Sequence, residues 1–92
     1  PLPCVLGYEC VGRVVQIGSK VTAVKIGNRV TAFSRFGSYA RFVKTTEQAV
    51  VQIPESWDVV TALACATQGC TAWFAAYETF PVRKGDVAVV MA

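Results

Sequence analysis

The chain contains no histidine and a single methionine. Without histidine, a mixed Cys/His zinc site cannot be completed. Charged side chains make up only 16% of the 92 residues. A disordered tail needs high charge and low hydrophobicity, so that class is excluded as well. No apolar run approaches the ~20 residues of a membrane-spanning helix, and no basic start with an apolar centre marks a secretory leader. No Cys-x-x-Cys occurs: Cys4 and Cys10 are spaced C-x5-C, Cys65 and Cys70 C-x4-C. These spacings match no zinc or redox motif. The four are expected to be small buried hydrophobes in a reduced, cytoplasmic setting. Internal repeats, linkers and low-complexity segments are absent too.

Apolar side chains, by contrast, are plentiful, at 53% of the chain. A domain this small buries only about 60% of the surface its unfolded chain exposes. So apolar a sequence is expected to lean on more protein, and with Pro1 at its start and an apolar run at its end it reads as a piece of something larger. Nine Lys and Arg stand against six Asp and Glu, a net charge of +3. Only Arg83 and Lys84 are adjacent. A nucleic-acid footprint clusters its cations on one face, so these scattered charges predict a solvated surface and no nucleic-acid partner.

The first two-thirds reads as β. Val11 to Ile17 is β-branched and ends at Gly18; Arg29 to Phe33 follows the Gly27-Asn28 turn; Ser38 to Lys44 alternates; Ala49 to Ile53 is stopped by Pro54. Short strands at close spacing predict a small barrel or sandwich. After Pro54 the period changes. Ser56 is the expected N-cap, with Asp58 in the first turn, and Val59, Val60, Leu63 and Ala66 recur at helical spacing. Gly69 is expected to interrupt, and a second helix to run from about Thr71 to Thr79 with Trp73, Phe74 and Tyr77 on one face. Beyond Pro81 and the Lys84-Gly85-Asp86 turn, Val87 to Met91 reads as a strand buried on both faces, the kind found in parallel sheets.

In order and spacing, these landmarks resemble the medium-chain dehydrogenase/reductase superfamily. Pro3-Cys4-Val5-Leu6-Gly7-Tyr8-Glu9-Cys10-Val11-Gly12-Arg13-Val14 is similar to its P-x-x-x-G-x-E-x-x-G-x-V signature. Gly27-Asn28-Arg29-Val30, Gly37-Ser38-Tyr39-Ala40, Ile53-Pro54, Thr71-Ala72 and Lys84-Gly85-Asp86 follow in the family's sequence. Within it, the string most resembles the quinone oxidoreductase branch, synaptic-vesicle-type relatives included.

The resemblance implies a mainly β fold with some α: a GroES-like barrel domain over 1–67, lacking its first strands, and the opening helix and strand of a Rossmann-type nucleotide domain over 68–92. It implies a parent that is an NADPH-dependent quinone oxidoreductase, a homodimer, delivering hydride to quinones or conjugated enones. Two alternatives stay open: an enoyl thioester reductase of the same superfamily, and a non-catalytic structural or membrane-associated relative. Zinc-dependent members carry His where Tyr8 stands and Cys where Thr67 stands, so the resemblance implies a zinc-independent member with no metal ligands here. Thr67 is expected to have no duty beyond filling that position. Thr71, at the expected helix start, resembles a position touching the nicotinamide end of the cofactor, with Gln68 beside it; Tyr8 is expected to line the cofactor or substrate pocket. Arg35 and Phe36, on the loop at 34–37, are expected to border the substrate cleft. Glu9 is expected to hydrogen-bond near Arg29 or a backbone group, and Gly7 and Gly12 to permit backbone approach and turning.

Overall fold

The computed structural model describes residues 2–91. Its centre is a three-stranded antiparallel sheet in the order β1-β2-β3: β1 is Glu9–Arg13, β2 Arg29–Phe33 and β3 Val50–Gln52. Val11 faces Thr31, which faces Val51, so the three strands share one register. β2 has the bounds its sequence predicts. It follows a turn in which Gly27 takes φ +92° and the Asn28 Oδ1 accepts from Lys25 N at 2.8 Å. β1 starts two residues before the expected Val11 and ends at Arg13. Its line is prolonged by Val14, whose N–H donates to Asn28 O at 2.9 Å. Gly12 lies inside this strand without a positive φ, and a Cβ there would meet nothing within 4 Å. The turning role expected of it belongs to Gly7 alone.

Two expected strands do not form. Residues 38–44 make only bends: Ser38 N and Tyr39 N donate to Gly7 O and Leu6 O, and the alternation beyond finds no ladder among the described residues. Residues 87–91 likewise carry no ladder, and Val87 is 91% exposed. Alternating or apolar sequence gives a segment the capacity to be a strand; pairing makes it one.

The helices start elsewhere than expected. α1 is Val59–Ala64, and its N-cap is Asp58, not Ser56: the carboxylate accepts from Thr61 N at 2.9 Å. The chain turns at Cys65–Ala66, and α2 runs Thr67–Phe74, continuing as one π turn over Ala75–Thr79. Gly69 therefore lies inside α2 and does not break it. A Cβ at Gly69 would stand 3.5 Å from Ala64 O and 3.6 Å from the Cys65 Cβ, so the glycine sits where the two helices approach each other.

The core is small: Val24, Val30, Ala32, Ile53, Ala62 and Ala66. Thr31 is buried with them, its hydroxyl without a partner. A folded monomer of this mass exposes about 5,200 Å² and has a radius of gyration of about 12 Å. Here the values are 7850 Å² and 16.1 Å. Trp73, Phe74 and Tyr77 stand more than half exposed on α2 and its extension. The apolar excess of the sequence is thus carried on open faces, as the composition predicts.

Three carboxylates tie loops to these elements. Glu47 accepts from the backbone N–H of Ala23 and, at 2.6 Å, of Thr22. Glu55 is gripped by both terminal nitrogens of Arg13, at 2.8 and 2.6 Å. Asp58 also accepts from the Thr61 hydroxyl. The donors hold all three carboxyls below their ordinary values: the Ala23 and Thr22 amides for Glu47, the Arg13 guanidinium for Glu55, the Thr61 hydroxyl and amide for Asp58. A depressed folded value means that the unfolded chain binds protons more readily. Their stabilisation is therefore present at neutral pH and is lost as pH falls below the ordinary 4.5 of Glu and 3.8 of Asp. A urea series from pH 7 to 3 should show a falling midpoint, less steep in Glu47→Gln; an unchanged midpoint would refute the linkage.

Candidate functional site

The first residue of β1 meets the first turn of α2. Ala66, which precedes α2, offers no side-chain cap. Glu9 supplies one from 58 residues away: its Oε2 accepts from Thr67 N at 3.2 Å and from the Thr67 hydroxyl at 2.7 Å. Gln68 Nε2 reaches Oε1 at 3.5 Å, the edge of hydrogen-bonding range. A carboxylate at this end of a helix meets orphan N–H groups and the positive end of the dipole. Of the two partners expected for Glu9, the backbone group is present, as Thr67 N, and Arg29 is not. Thr67, expected to be idle, joins sheet to helix.

Thr71 lies one turn further along α2, not at a helix start. Its hydroxyl donates to Thr67 O at 2.7 Å. Glu9, Thr67, Gln68 and Thr71 thus form one connected group. Tyr8, Arg35 and Phe36 belong to a second segment, joined through backbone bonds. Tyr8 O accepts from Ser34 N at 2.7 Å, and Ser34 and Ser38 share a hydrogen bond of 2.7 Å between their hydroxyls. With Ser38 N on Gly7 O at 3.0 Å, the loop holding Arg35 and Phe36 is fastened to the Tyr8 segment at both ends. Phe36 is 64% exposed and Tyr8 52%. The two groups adjoin at the peptide between Tyr8 and Glu9.

Behind the loop, Cys10 is half-buried and faces Ser38. Burial pushes its thiol above the ordinary value, while the hydrogen bond from Ser38 acts the other way. A raised value keeps the thiol protonated and weakly nucleophilic. Cys4, Cys65 and Cys70 are exposed, contrary to the expectation of burial. Cys65 and Cys70 face an open apolar groove of about 450 Å³ with Gly69, Trp73 and Phe74, and a second groove of about 580 Å³ lies over residues 80–88. Neither touches Tyr8, Glu9, Gln68 or Thr71, whose site is an open surface. Among the described residues no three His, Cys, Asp or Glu side chains converge, and no helix is long and apolar enough to cross a membrane.

The polar groups gathered at this helix start are the Thr67 and Thr71 hydroxyls, the Gln68 amide and the Glu9 carboxylate. No glycine-rich turn opens α2, so the features that cradle phosphates are not found at this helix start.

The chain is similar to known proteins over most of its length. Residues 1–55 match the alcohol dehydrogenase GroES-like domain. A probable quinone oxidoreductase of Schizosaccharomyces pombe is 38% identical over 93 residues, covering 100% of this chain and 28% of that protein. The crystal structure of human synaptic vesicle membrane protein VAT-1 homolog-like protein superposes with a TM-score of 0.87 at 33% identity, over 92% of this chain and 27% of that one. A mycobacterial protein solved in complex with NADPH gives 0.83 at 31% identity, over 94% and 27%. The chain spans about a quarter of the length of these relatives. With a family signature through Gly7 and Glu9 and a matching GroES-like sheet, the chain belongs to the alcohol dehydrogenase GroES-like domain family of the medium-chain dehydrogenase/reductase superfamily.

Proposed function

We propose that this chain is the barrel side, over 1–67, and the opening of the nucleotide domain, over 68–92, of an NADPH-dependent quinone oxidoreductase that works without zinc. The pairing of Glu9 with Thr67 carries the reading. The positions that would hold the metal in zinc-dependent relatives are Tyr8 and Thr67, and here the Thr67 hydroxyl is already committed as a donor to a carboxylate. A phenol is a poor metal ligand at neutral pH because its pKa is about 10.

Working without a Lewis acid suits the substrate class. A simple ketone needs help to carry the developing alkoxide. A quinone accepts hydride readily because its product is aromatic, and a conjugated enone spreads the charge into an enolate. The cofactor, when bound, supplies the hydride. The chain's own residues bind and orient: Gln68 and Thr71 face the nicotinamide end, and Tyr8, Arg35 and Phe36 border the acceptor. The NADPH of the mycobacterial relative supports that cofactor. The parent is read as a cytoplasmic homodimer.

The test is NADPH oxidation by the full-length parent with 9,10-phenanthrenequinone, beside an enoyl thioester, with metal analysis of the same sample. Faster turnover of the quinone and well under one zinc per chain are expected. Preference for the thioester would move the assignment to an enoyl reductase. A stoichiometric zinc whose removal abolishes activity would refute the role given to Tyr8 and Thr67.

A further inference from the structure

The cations of this chain are spaced singly, yet their sign is segregated. Residues 10–46 hold seven of the nine Lys and Arg and none of the six Asp and Glu. Two of the seven are committed inside the fold: Arg13 grips Glu55, and Arg29 donates to the carbonyls of Pro54, Glu55 and Trp57. Arg35, Arg41 and Lys44 are exposed and form no ion pair among the described residues. All three stand on one excursion, residues 34–44, whose base is closed by the Thr45 hydroxyl donating to Phe33 O. Its middle is pinned as well. Ser38 is buried, and Ser38 N and Tyr39 N donate to Gly7 O and Leu6 O at 3.0 and 2.9 Å. A loop of this length closed at its base reaches no more than about 20 Å outward, so its side chains share one small surface.

Between the cations stand three aromatic rings, Phe36 at 64%, Tyr39 at 78% and Phe42 at 67% exposure. The Arg41 guanidinium lies 5.6 Å from the centroid of the Phe42 ring. The segment bonded to Tyr39 adds Val5 and Leu6, both more than half exposed. A contiguous apolar surface rimmed by charge of one sign marks an interaction site. Aromatic rings mixed with Arg and Lys are the composition found at the level of lipid headgroups: the apolar groups enter the acyl boundary and the cations meet anionic lipids.

We propose that the 34–44 loop, with Val5 and Leu6 beside it, is a docking surface for an anionic lipid bilayer. The contact is peripheral, since no helix among the described residues is long and apolar enough to cross a membrane. A single-stranded nucleic acid would also use cations and rings. It has no use for Val5 and Leu6, and three cations are few for a polyanion whose affinity comes from neutralised phosphates. Docking does not depend on the quinone reading given above. Arg35 and Phe36 belong to both, so docking would bring the loop read as bordering the acceptor to the bilayer surface.

The experiment is sedimentation of the full-length parent with two kinds of vesicle: phosphatidylcholine alone, and phosphatidylcholine with about one-third phosphatidylserine. At about 0.1 M salt the parent should sediment with the second kind and not the first, and about 1 M salt, which shortens the screening length from about 10 to about 3 Å, should release most of it. Each cation near an anionic surface is worth roughly fivefold in affinity, so Arg41→Gln with Lys44→Gln should weaken vesicle binding about 30-fold. Phe42→Ser leaves the charge untouched and should weaken binding several-fold. Arg83→Gln with Lys84→Gln removes the same charge from the one adjacent pair of cations and should leave binding nearly unchanged. All five side chains are exposed, so these variants are expected to fold. Equal binding to both vesicles, or an equal loss from the Arg83 and Lys84 changes, would overturn the proposal. So would a parent that stays in solution with both, which would mean that more of the parent covers the loop. Tighter binding of a single-stranded oligonucleotide at the same salt, lost in the Arg41 and Lys44 variant, would overturn it in favour of nucleic acid. A parent that sediments as expected but turns over no quinone refutes the function proposed above and leaves the docking surface standing.

Discussion

Replacing Gly7 by alanine is expected to destabilise the full-length parent by about 2–4 kcal/mol, while the same change at Gly12 is neutral or slightly stabilising. Gly7 takes φ +89°, a region in which an L side chain crowds the following carbonyl and costs roughly 1–2 kcal/mol. The added Cβ would stand 2.6 Å from the Tyr39 Cδ1 and 3.0 Å from the Ser38 Cβ. Tyr39 is 78% exposed and its ring can swing away. Ser38 cannot follow: it is buried, its N–H donates to Gly7 O, and its hydroxyl is bonded to that of Ser34. Overpacking adds about 1–3 kcal/mol where neighbours are fixed. Gly12, inside β1, has open space and no left-handed φ. Urea midpoints of the two variants test the contrast, and equal responses would show that neither the left-handed backbone nor the Ser38 contact matters. A functional consequence follows from the same geometry. The strain falls on the clamp that fastens Arg35 and Phe36 beside Tyr8, so Gly7→Ala should raise the quinone KM more than the NADPH KM.

What could be seen in the sequence was local. The Gly27-Asn28 turn and the β-branched run after it define β2 because the turn needs a left-handed glycine and an Asn side chain that accepts from the backbone N–H of Lys25, three residues before it. Val59, Val60 and Leu63 announce α1 by period alone. Its start was harder to see. Ser56 and Asp58 are both short polar residues able to cap, and the choice depends on how residues 54–57 are held by a strand far away in sequence. Residues 38–44 and 87–91 have strand-like composition, but a strand is defined by its partner. The site divides the same way. Thr67, Gln68 and Thr71 are close enough in sequence for one helix to gather them. The carboxylate that organises them is 58 residues distant, and nothing in its neighbours reveals its partner. The backbone bonds that fasten Arg35 and Phe36 to the Tyr8 segment are equally invisible before folding.

The anchor that sets the start of α1 is Arg29, and Arg29→Met is expected to cost about 1–2 kcal/mol, toward the low end of the ~1.5–3 of a hydrogen bond to a charged group. One guanidinium nitrogen of Arg29 faces three carbonyls in the segment between β3 and α1: Trp57 O closest, Glu55 O at 3.1 Å and Pro54 O at 3.4 Å. A terminal nitrogen has two protons, so Pro54 O at the longest distance is the weakest partner. Methionine keeps the apolar stem and removes all three bonds. Lysine keeps the charge as a point without the planar fork and should fall between the two. Arg29 also faces Arg13 across the β1–β2 ladder, a like-charged pair that is unfavourable when uncovered. Glu55 covers it, gripped by Arg13 and drawn lower still by the charge of Arg29. Arg29→Met therefore removes a clamp and a repulsion together, and the second matters only when Glu55 is neutral. In a double-mutant cycle Glu55→Gln should be less harmful in the Arg29→Met background than in the parent. Strict additivity would mean that the two arginines do not sense each other. Because α1 leads directly into the Thr67 turn, Arg29→Met should also weaken NADPH binding more than quinone binding. A loss confined to the quinone would place the 54–57 segment with the substrate loop and separate it from the helix that Glu9 holds.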